Sequence, residues 1–458
     1  MLVLFLCGLQ ALLGIGQALH GLPSHSGFWI SGSFDNPAGL ASCLCIALPF
    51  VYPFSQSRKK GIRLISYILT VCMVTTICLS GSRAGILSLL VVVGYMYYPC
   101  FRSFRTYQKT GVMLVLVVVM GVAYFTKKDS ADGRILIWKC TWEMIKERPI
   151  TGYGVGAFQA HYMDYQAAYF KKNPESEWRM LADNVRHPFN EYLNLWIQGG
   201  GGALLVVFVS GIFLCRCYMR FSSWNKKSAV ASLLSLLAFS FFSYPFNYPF
   251  TWIMLFLNVY VLARNHLCLF VLNKCKKWFA VCLGIAGVIL FIQVTERFEN
   301  ERNWKKIADK SLMGQTEKML PLYESLQKQL GYNPYFLYNY AAELYIGNQY
   351  EKCLQISLQC RKHWADYDLE ILLGETYTQL NREEEAIKHF ELAANMCPVK
   401  FTPLYKLYHV YKKCNREKEA KMLAWQIVNK EVKISSAEID SMKTEMRKEL
   451  GEFPSFSF

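Results

Sequence analysis

Nine apolar runs in the first two-thirds of this 458-residue chain constrain its fold more than any other feature. A helix that crosses a bilayer needs about 20 mostly apolar residues, and in lipid only helices and closed barrels satisfy their own backbone hydrogen bonds. The expected fold class is therefore all-α, a polytopic helical membrane protein with about nine spans. We place these spans at about 2–19, 37–54, 64–80, 84–99, 111–125, 192–214, 229–246, 250–265 and 278–295.

The basic residues predict which loops face the cytoplasm. Residues 1–295 carry 26 Lys and Arg against 10 Asp and Glu, whereas residues 296–458 carry 24 of each, so the net charge of +16 lies in the apolar part. Fifteen of these basic residues lie in alternate short loops that contain no acidic residue, which is the pattern of cytoplasmic loops. The charge thus indicates a membrane, with no nucleic acid as partner. It places the polar loop 126–190 and the C-terminal part on the outward side, which in a bacterium is the periplasm or the cell exterior.

We divide the chain into a transmembrane domain, 1–295, which contains the loop 126–190, and a periplasmic domain of helical repeats, 296–458. Within the second domain, the run Asn381–Ala386 recurs 34 positions later as Asn415–Ala420. This spacing resembles the tetratricopeptide repeat, in which helix pairs bury their apolar faces by stacking. We expect either a protein partner bound through these repeats or a purely architectural role.

Neither the cysteines nor the N-terminal run indicates a further class of site. The sixteen cysteines lack metal-site spacing, so we expect no metal and no cofactor. Cys353, Cys360, Cys397 and Cys414 leave a disulfide open. The run Leu2–Leu19 lacks the basic segment of a signal peptide, so we expect a membrane helix, in a chain that begins either here or further upstream.

Arg83 is the first candidate for chemistry. It lies in the turn Ser80–Gly85, between two apolar segments and on the outward side. A charge at this depth is costly unless it is paired or hydrated, so ionisable residues there are candidates for function. The alternative is an interfacial arginine that extends to lipid headgroups. The tight Gly and Ser turn favours function, because it restricts the guanidinium while leaving it accessible.

Arg134 is the second candidate, at the start of the polar loop. We expect Asp132 to cap a helix that places Arg134 in its first turn, with Trp138 on a stripe suited to the membrane interface. The stripe consists of Ile135, Trp138, Trp142 and Ile145. A planar guanidinium binds phosphate through two parallel hydrogen bonds. Taken alone, a solvated arginine is the more common interpretation of such a residue.

His187 is the third candidate, at the end of the loop. It follows Arg186 and precedes Pro188, which is favoured in the first turn of a helix. The helix re-enters the membrane through Asn190 and Glu191, so its N-terminus points outward and suits an anion. A histidine titrates near neutrality and can take a proton from a hydroxyl. The alternative is a histidine that only makes structural hydrogen bonds.

Two other turns lie on the outward side. Asp35–Pro37 begins the second span as a helix N-terminus, where Asn36 is either a ligand-binding residue or a cap. The aromatic turn Tyr244–Pro249 either stacks on sugar rings or anchors the membrane interface.

Taken together in this order, the motifs resemble the O-antigen ligase superfamily, which also contains O-antigen polymerases and bacterial protein O-oligosaccharyltransferases. The resemblance covers roughly residues 25–265. The chain differs from the ligases in having fewer spans and in Phe189, where members often carry a second histidine or another polar residue. The motifs are Gly32–Pro37, Ser82–Gly85, Arg134–Trp138, Pro149–Gly154 and His187–Leu193.

The resemblance implies a donor glycan carried on undecaprenyl diphosphate, among the membrane lipids of the outer leaflet. It also implies an acceptor hydroxyl, for which lipid A–core is favoured. Extension of a glycan by a polymerase and transfer to protein are the alternatives within the class. A non-catalytic envelope scaffold that uses its repeats is the alternative from another class. The resemblance implies catalytic roles for His187, Arg134 and Arg83, without a metal. It implies substrate contacts by Arg186, Asn190, Glu191, Asn36 and Trp138.

Overall fold

The computed structural model describes residues 2–24, 27–111, 114, 121, 128–220, 223–270 and 276–451. These described residues form helices and turns without a strand, which confirms the all-α prediction. The chain divides into two compact units. The first unit is Met1–Lys128 with His187–Lys276, and the second unit is Asp129–Arg186 with Lys277–Phe458. The polar loop therefore clusters with the C-terminal helices.

The first unit is built from apolar helices around one buried helix, Pro37–Ala47, whose residues from Gly39 to Ala47 are all buried. Pro49 lacks an N–H and ends this helix, and a 3-10 turn follows at Leu48–Val51. The helices of the unit are Leu2–Ala18, Pro37–Ala47, Tyr52–Ser55, Lys60–Leu79, Arg83–Met96, Tyr98–Arg102, Glu191–Arg220, Trp224–Ser240 and Pro249–Phe270.

Several helices are long and apolar enough to cross a membrane. By length and composition these are Pro37–Ser55, Lys60–Leu79, Glu191–Met219 and Val281–Leu330, and three shorter apolar helices are Leu2–Ala18, Arg83–Met96 and Pro249–Arg264. The protein is thus a helical membrane protein. The predicted span 111–125 falls almost entirely outside the described residues. The count of nine spans stays a prediction.

Neutral hydrogen bonds join the helices of the first unit. Ser88 Oγ lies 2.7 Å from Ser235 Oγ and donates to the Ser235 carbonyl over 2.9 Å. Ser232 Oγ donates to the Ile46 carbonyl at 2.7 Å and accepts from Asn258 Nδ2 at 2.9 Å. Small hydroxyls of this kind let helices approach closely while satisfying their polar groups inside an apolar environment.

The second unit combines the polar loop with the C-terminal helices. The loop contributes Lys128–Glu147, Ala157–Lys172 and a 3-10 turn at Glu177–Leu181. The helix Lys276–Lys310 continues unbroken through the predicted domain boundary at 295. The remaining helices are Thr316–Leu330, Pro334–Ile346, Tyr350–Arg361, Tyr367–Gln379, Glu383–Met396, Thr402–Lys413, Glu417–Asn429 and Ala437–Glu449.

The C-terminal helices form pairs with a recurring turn. Asn348, Asn381 and Asn415 each take a left-handed backbone conformation, with φ of 56°, 52° and 58°, at the turn between the two helices of a pair. Asparagine tolerates this conformation better than most residues. Gly374 lies where a Cβ would come within 2.6 Å of Phe390, so the helices of the middle pair cross closely. The helix pairs are observed, and their tetratricopeptide identity stays a prediction.

The four cysteines of the C-terminal part are free, so no disulfide joins them. Cys353, Cys360 and Cys397 are buried, and Cys414 is half-buried. Burial raises the pKa of the Cys360 thiol to about 12, so this side chain behaves as a small apolar group rather than a nucleophile.

Candidate active site

His187 lies against the aromatic turn that follows the helix Trp224–Ser240. Its ring stacks on Tyr244, with centroids 4.5 Å apart and 27° between the planes. The Asn247 amide nitrogen lies 3.3 Å from His187 Nε2 and 3.4 Å from Nδ1. An amide N–H is a donor, so a ring nitrogen of His187 accepts from it.

The backbone between His187 and the next helix is held in an unusual conformation. Phe189 has φ of 52°, a left-handed conformation that costs a non-glycine residue about 1–3 kcal/mol. Its ring packs edge-on against Tyr244 at 5.4 Å. Asn190 Oδ1 then accepts from the backbone N–H of Tyr192 at 3.0 Å and of Leu193 at 3.1 Å.

Asn190 therefore caps the helix Glu191–Arg220. The expectation that Pro188 begins this helix is wrong, because the left-handed Phe189 separates the proline from the first helical turn. Glu191 is the first helical residue, and its carboxylate accepts from the Phe246 N–H at 3.2 Å and from Asn194 Nδ2 at 3.1 Å. Glu191 thus holds the aromatic turn beside the start of this helix.

Asn36 connects a second helix start to the same turn. Its Oδ1 accepts from the Gly39 N–H at 2.9 Å and caps the helix Pro37–Ala47. Its Nδ2 donates to Tyr244 OH at 3.0 Å and to Tyr248 OH at 2.7 Å. The cap is confirmed, and the amide also determines where both tyrosines lie. Its predicted contact with substrate stays a prediction.

Tyr248 completes this polar cluster. Its hydroxyl donates to Asp35 Oδ1 at 2.7 Å. Burial and this hydrogen bond to the carboxylate raise the pKa of the Tyr248 hydroxyl, so the phenol stays protonated. A Cβ at Gly39 would lie 2.7 Å from Tyr248 Cζ, so only glycine leaves room for this ring. We call Asp35, Asn36, His187, Tyr244, Asn247 and Tyr248 the histidine cluster.

Arg83 is the first residue of the helix Arg83–Met96, in the same unit. Ser82 Oγ accepts from the Gly85 N–H at 3.2 Å and caps this helix. A Cβ at Gly85 would lie 2.8 Å from Ala41 Cβ, so the turn packs directly on the buried helix Pro37–Ala47. The half-buried Arg83 therefore extends from a fixed backbone, as the turn sequence predicts.

Arg134 lies in the second unit, in the helix Lys128–Glu147. This helix is already formed at Lys128, so the expectation that Asp132 caps it and that Arg134 lies in its first turn is wrong. Arg134 and Trp138 are both half-buried.

The stripe predicted on this helix is only partly observed. Ile135 and Trp142 are exposed, whereas Ile145 is buried. The buried face is instead formed by Leu136, Ile137, Cys140, Met144 and Ile145.

Arg186 lies in the second unit, against the repeats. Its guanidinium carbon lies 5.2 Å from the Tyr335 ring centroid and 5.7 Å from that of Trp364. Cation–π contacts at this range are stabilising, so Arg186 anchors the end of the polar loop. Its predicted contact with substrate stays a prediction.

Tyr244, Asn247, Tyr248 and Asp35 were not among the predicted site residues. The sequence signal for them was that their two turns, Asp35–Pro37 and Tyr244–Pro249, were predicted on the same outward side as His187. Among the described residues, no group of three or more His, Cys, Asp or Glu side chains is arranged to hold a metal ion.

The protein is thus a helical membrane protein whose histidine cluster lies at the ends of its helices. Residues 68–209 match the family model described as O-antigen ligase, which confirms the resemblance found from the motifs. The match contains Arg83, Arg134 and His187, and it supports a membrane transferase of the glycosyltransferase or ligase type. No curated protein matches the chain.

Proposed function

We propose that this protein transfers a glycan from undecaprenyl diphosphate to an acceptor hydroxyl on the periplasmic side of the inner membrane, with lipid A–core as the acceptor. The observation that carries the proposal is the environment of His187. Its ring stacks on Tyr244 and lies beside the Asn247 amide, and His187 itself belongs to the stretch 68–209 that matches the O-antigen ligase family. An imidazole fixed in this way is suited to removing a proton from a hydroxyl.

The proposed step is a direct displacement at the anomeric carbon of the donor sugar. The acceptor oxygen forms the new bond to this carbon while its proton passes to a ring nitrogen of His187. The bond between the anomeric carbon and the phosphate oxygen breaks, and its electron pair leaves with the lipid diphosphate. Attack from the face opposite to the leaving group inverts the anomeric centre.

Arg83 and Arg134 have the task of stabilising the departing diphosphate in this proposal. Negative charge develops on the leaving oxygen, and preorganised cationic donors stabilise such charge in a site with little water. A guanidinium binds phosphate oxygens through two parallel hydrogen bonds. The capped turn that fixes the Arg83 backbone supports this role.

Deletion of the gene separates the competing functions. Loss of long lipopolysaccharide bands with accumulation of free core supports the ligase, and single-repeat bands support a polymerase. Loss of glycoprotein staining supports transfer to protein. An unchanged glycan pattern overturns the proposal and favours the scaffold.

Complementation of the deletion strain then connects the function to the site. Wild type and His20→Ala are expected to restore the lost product, since His20 packs on Trp29, outside the histidine cluster. His187→Ala is expected to restore none of it at equal membrane abundance.

A further inference from the structure

The polar loop and the C-terminal repeats are joined by a chain of charged side chains within the second unit. Asp164, on the loop helix Ala157–Lys172, pairs with Arg361 Nη2 at 2.5 Å. Arg361 Nε pairs with Glu370 Oε1 at 2.5 Å, and Glu370 Oε2 lies 2.5 Å from His389 Nδ1. The Glu370 side chain is fully buried. We call these four residues the ionic chain.

Each of the three repeat residues lies on a different helix. Arg361 ends the helix Tyr350–Arg361, Glu370 lies in Tyr367–Gln379, and His389 lies in Glu383–Met396. A buried charge is tolerated only when it is paired, so removing Arg361 would leave Glu370 with a single partner. The ionic chain therefore couples the packing of the repeats to the position of Asp164.

Neutral hydrogen bonds support the same contact. The fully buried Gln166 donates through Nε2 to the Met396 carbonyl at 2.6 Å, and Asn184 Nδ2 donates to Asp366 Oδ2 at 2.8 Å. The Ala365 N–H donates to the Gln159 carbonyl at 2.9 Å. Two segments of the loop, the helix Ala157–Lys172 and Asn184, thus bind the repeats, so the repeat surface already has an occupant in this chain.

The loop helix in turn holds the helix that carries Arg134. Glu147 Oε2, at the end of Lys128–Glu147, accepts from Tyr165 OH at 2.5 Å. The Lys139 ammonium lies 4.9 Å from the centroid of the Tyr169 ring. Tyr165 and Tyr169 both belong to Ala157–Lys172, so a shift of this helix is transmitted to the helix of Arg134.

We propose that the partner of the C-terminal repeats is the chain's own polar loop, and that the ionic chain positions Arg134 for glycan transfer. The positioning part rests on the proposed function. Arg361 and Asp164 are positioning residues in this account, because they act through two packed helices. The repeats are then an intramolecular support for the transferase rather than a module that recruits another protein.

The first test follows the loop itself and does not depend on activity. Hydrogen exchange is measured on the purified protein for wild type, Asp164→Asn, Arg361→Ala and the control Arg382→Ala. Arg382 pairs with Glu351 at 3.5 Å on the exposed surface of the same repeats, where such a pair contributes little.

We expect the two ionic-chain variants to lose protection in residues 128–172 while residues 402–429 keep theirs. Asp164→Asn retains the Arg361–Glu370 pair and provides the result if Arg361→Ala fails to fold. Unchanged protection of the loop in Asp164→Asn overturns the proposal.

The second test measures transfer from lipid-linked glycan by the same proteins. We expect Asp164→Asn to lower kcat about tenfold, and to lower it less than twofold when Arg134 is already alanine, because residues that act through one shared network are not additive. Equal losses in both backgrounds overturn the positioning role, since a general structural defect would add to the loss from Arg134→Ala. If wild type shows no transfer to any acceptor, the proposed function fails, and the exchange data still decide the loop–repeat contact.

Discussion

The two units of this protein satisfy their polar groups in different ways. In the first unit, helices are joined by neutral contacts such as Ser88 with Ser235 and Asn36 with Tyr248. In the second unit, elements are joined by charges, of which the Arg361–Glu370 pair is the most buried example. A charge among apolar membrane helices is costly, whereas a polar unit pairs charges at its partly hydrated interior. The buried Lys226, whose ammonium donates to the Cys217 carbonyl, is a charged exception in the first unit.

The largest expected effect concerns the two arginines that the account assigns to the diphosphate. We expect Arg83→Ala and Arg134→Ala each to lower kcat about 10²–10³-fold, the usual loss when a donor to a developing charge is removed. Single-turnover transfer from lipid-linked glycan measures this. Lys146→Ala is the matched control on the helix of Arg134, because Lys146 makes only an exposed pair with Glu143. A wild-type rate in both arginine variants would remove them from the site.

A second prediction compares close packing in the two units. Gly39→Ala and Gly374→Ala each place a Cβ within 2.7 Å of an aromatic ring, of Tyr248 and of Phe390. We expect each to lower the free energy of unfolding by about 1–3 kcal/mol, as overpacked sites do. The controls Gly94→Ala and Gly133→Ala lie in helices with nothing within 4 Å, and alanine is the better helix former.

Thermal unfolding in detergent measures all four glycine variants. The controls are expected to unfold at or slightly above the wild-type temperature. Equal behaviour of the packed and open positions would contradict the close contacts described at Gly39 and Gly374.

A smaller effect is expected for Tyr248→Phe, which changes the hydrogen bonds around His187. It removes the hydroxyl that donates to Asp35 and accepts from Asn36, and each lost hydrogen bond costs about 1 kcal/mol. We expect a loss of transfer of about three- to tenfold, because Asn36 then holds only Tyr244 beside His187. Tyr95→Phe is the control, since Tyr95 hydrogen-bonds Tyr218 away from the histidine cluster. A Tyr248→Phe protein as active as the control would show that the network does not position the site.

The smallest expected effect concerns a half-buried lysine of the second unit, Lys430, whose described contacts include a carbonyl and no carboxylate. Lys430 donates to the Pro398 carbonyl, and burial together with nearby Arg179 lowers its pKa to about 7. An unfolded lysine titrates near pH 10.4. Between these values the unfolded chain binds more protons than the folded chain, so this group makes the free energy of unfolding rise with pH.

Lys430→Met is expected to remove that part of the pH dependence. Denaturant unfolding at pH 7 and at pH 9.5 measures it, and the wild-type protein should gain more stability between the two than the variant gains. The same pH dependence in both proteins would show that folding does not lower the pKa of Lys430.

The comparison of units also shows what the sequence could predict. The apolar runs and basic loops predicted a helical membrane protein, because the bilayer imposes both patterns on any chain that crosses it. The order of short motifs predicted the family match that contains Arg83 and His187. The local spacing of residues was sufficient for both.

Contacts between distant segments could not be predicted in this way. Asn247 lies 60 positions after His187, and Gln166 lies 230 positions before Met396. No periodicity encodes these pairings, which depend on how whole helices pack. The helix start at Glu191 was misplaced for a related reason: several residues near it can cap a helix, and the tertiary structure selects among them.

The central claim is that His187 takes the acceptor proton during glycan transfer. The most direct measurement is a single-turnover assay with the purified protein in lipid vesicles, a glycan on undecaprenyl diphosphate and lipid A–core as acceptor. The account predicts transfer by wild type and by His20→Ala, and a rate lowered about 10²–10⁴-fold in His187→Ala with donor binding retained. Transfer by His187→Ala at the wild-type rate would contradict the account.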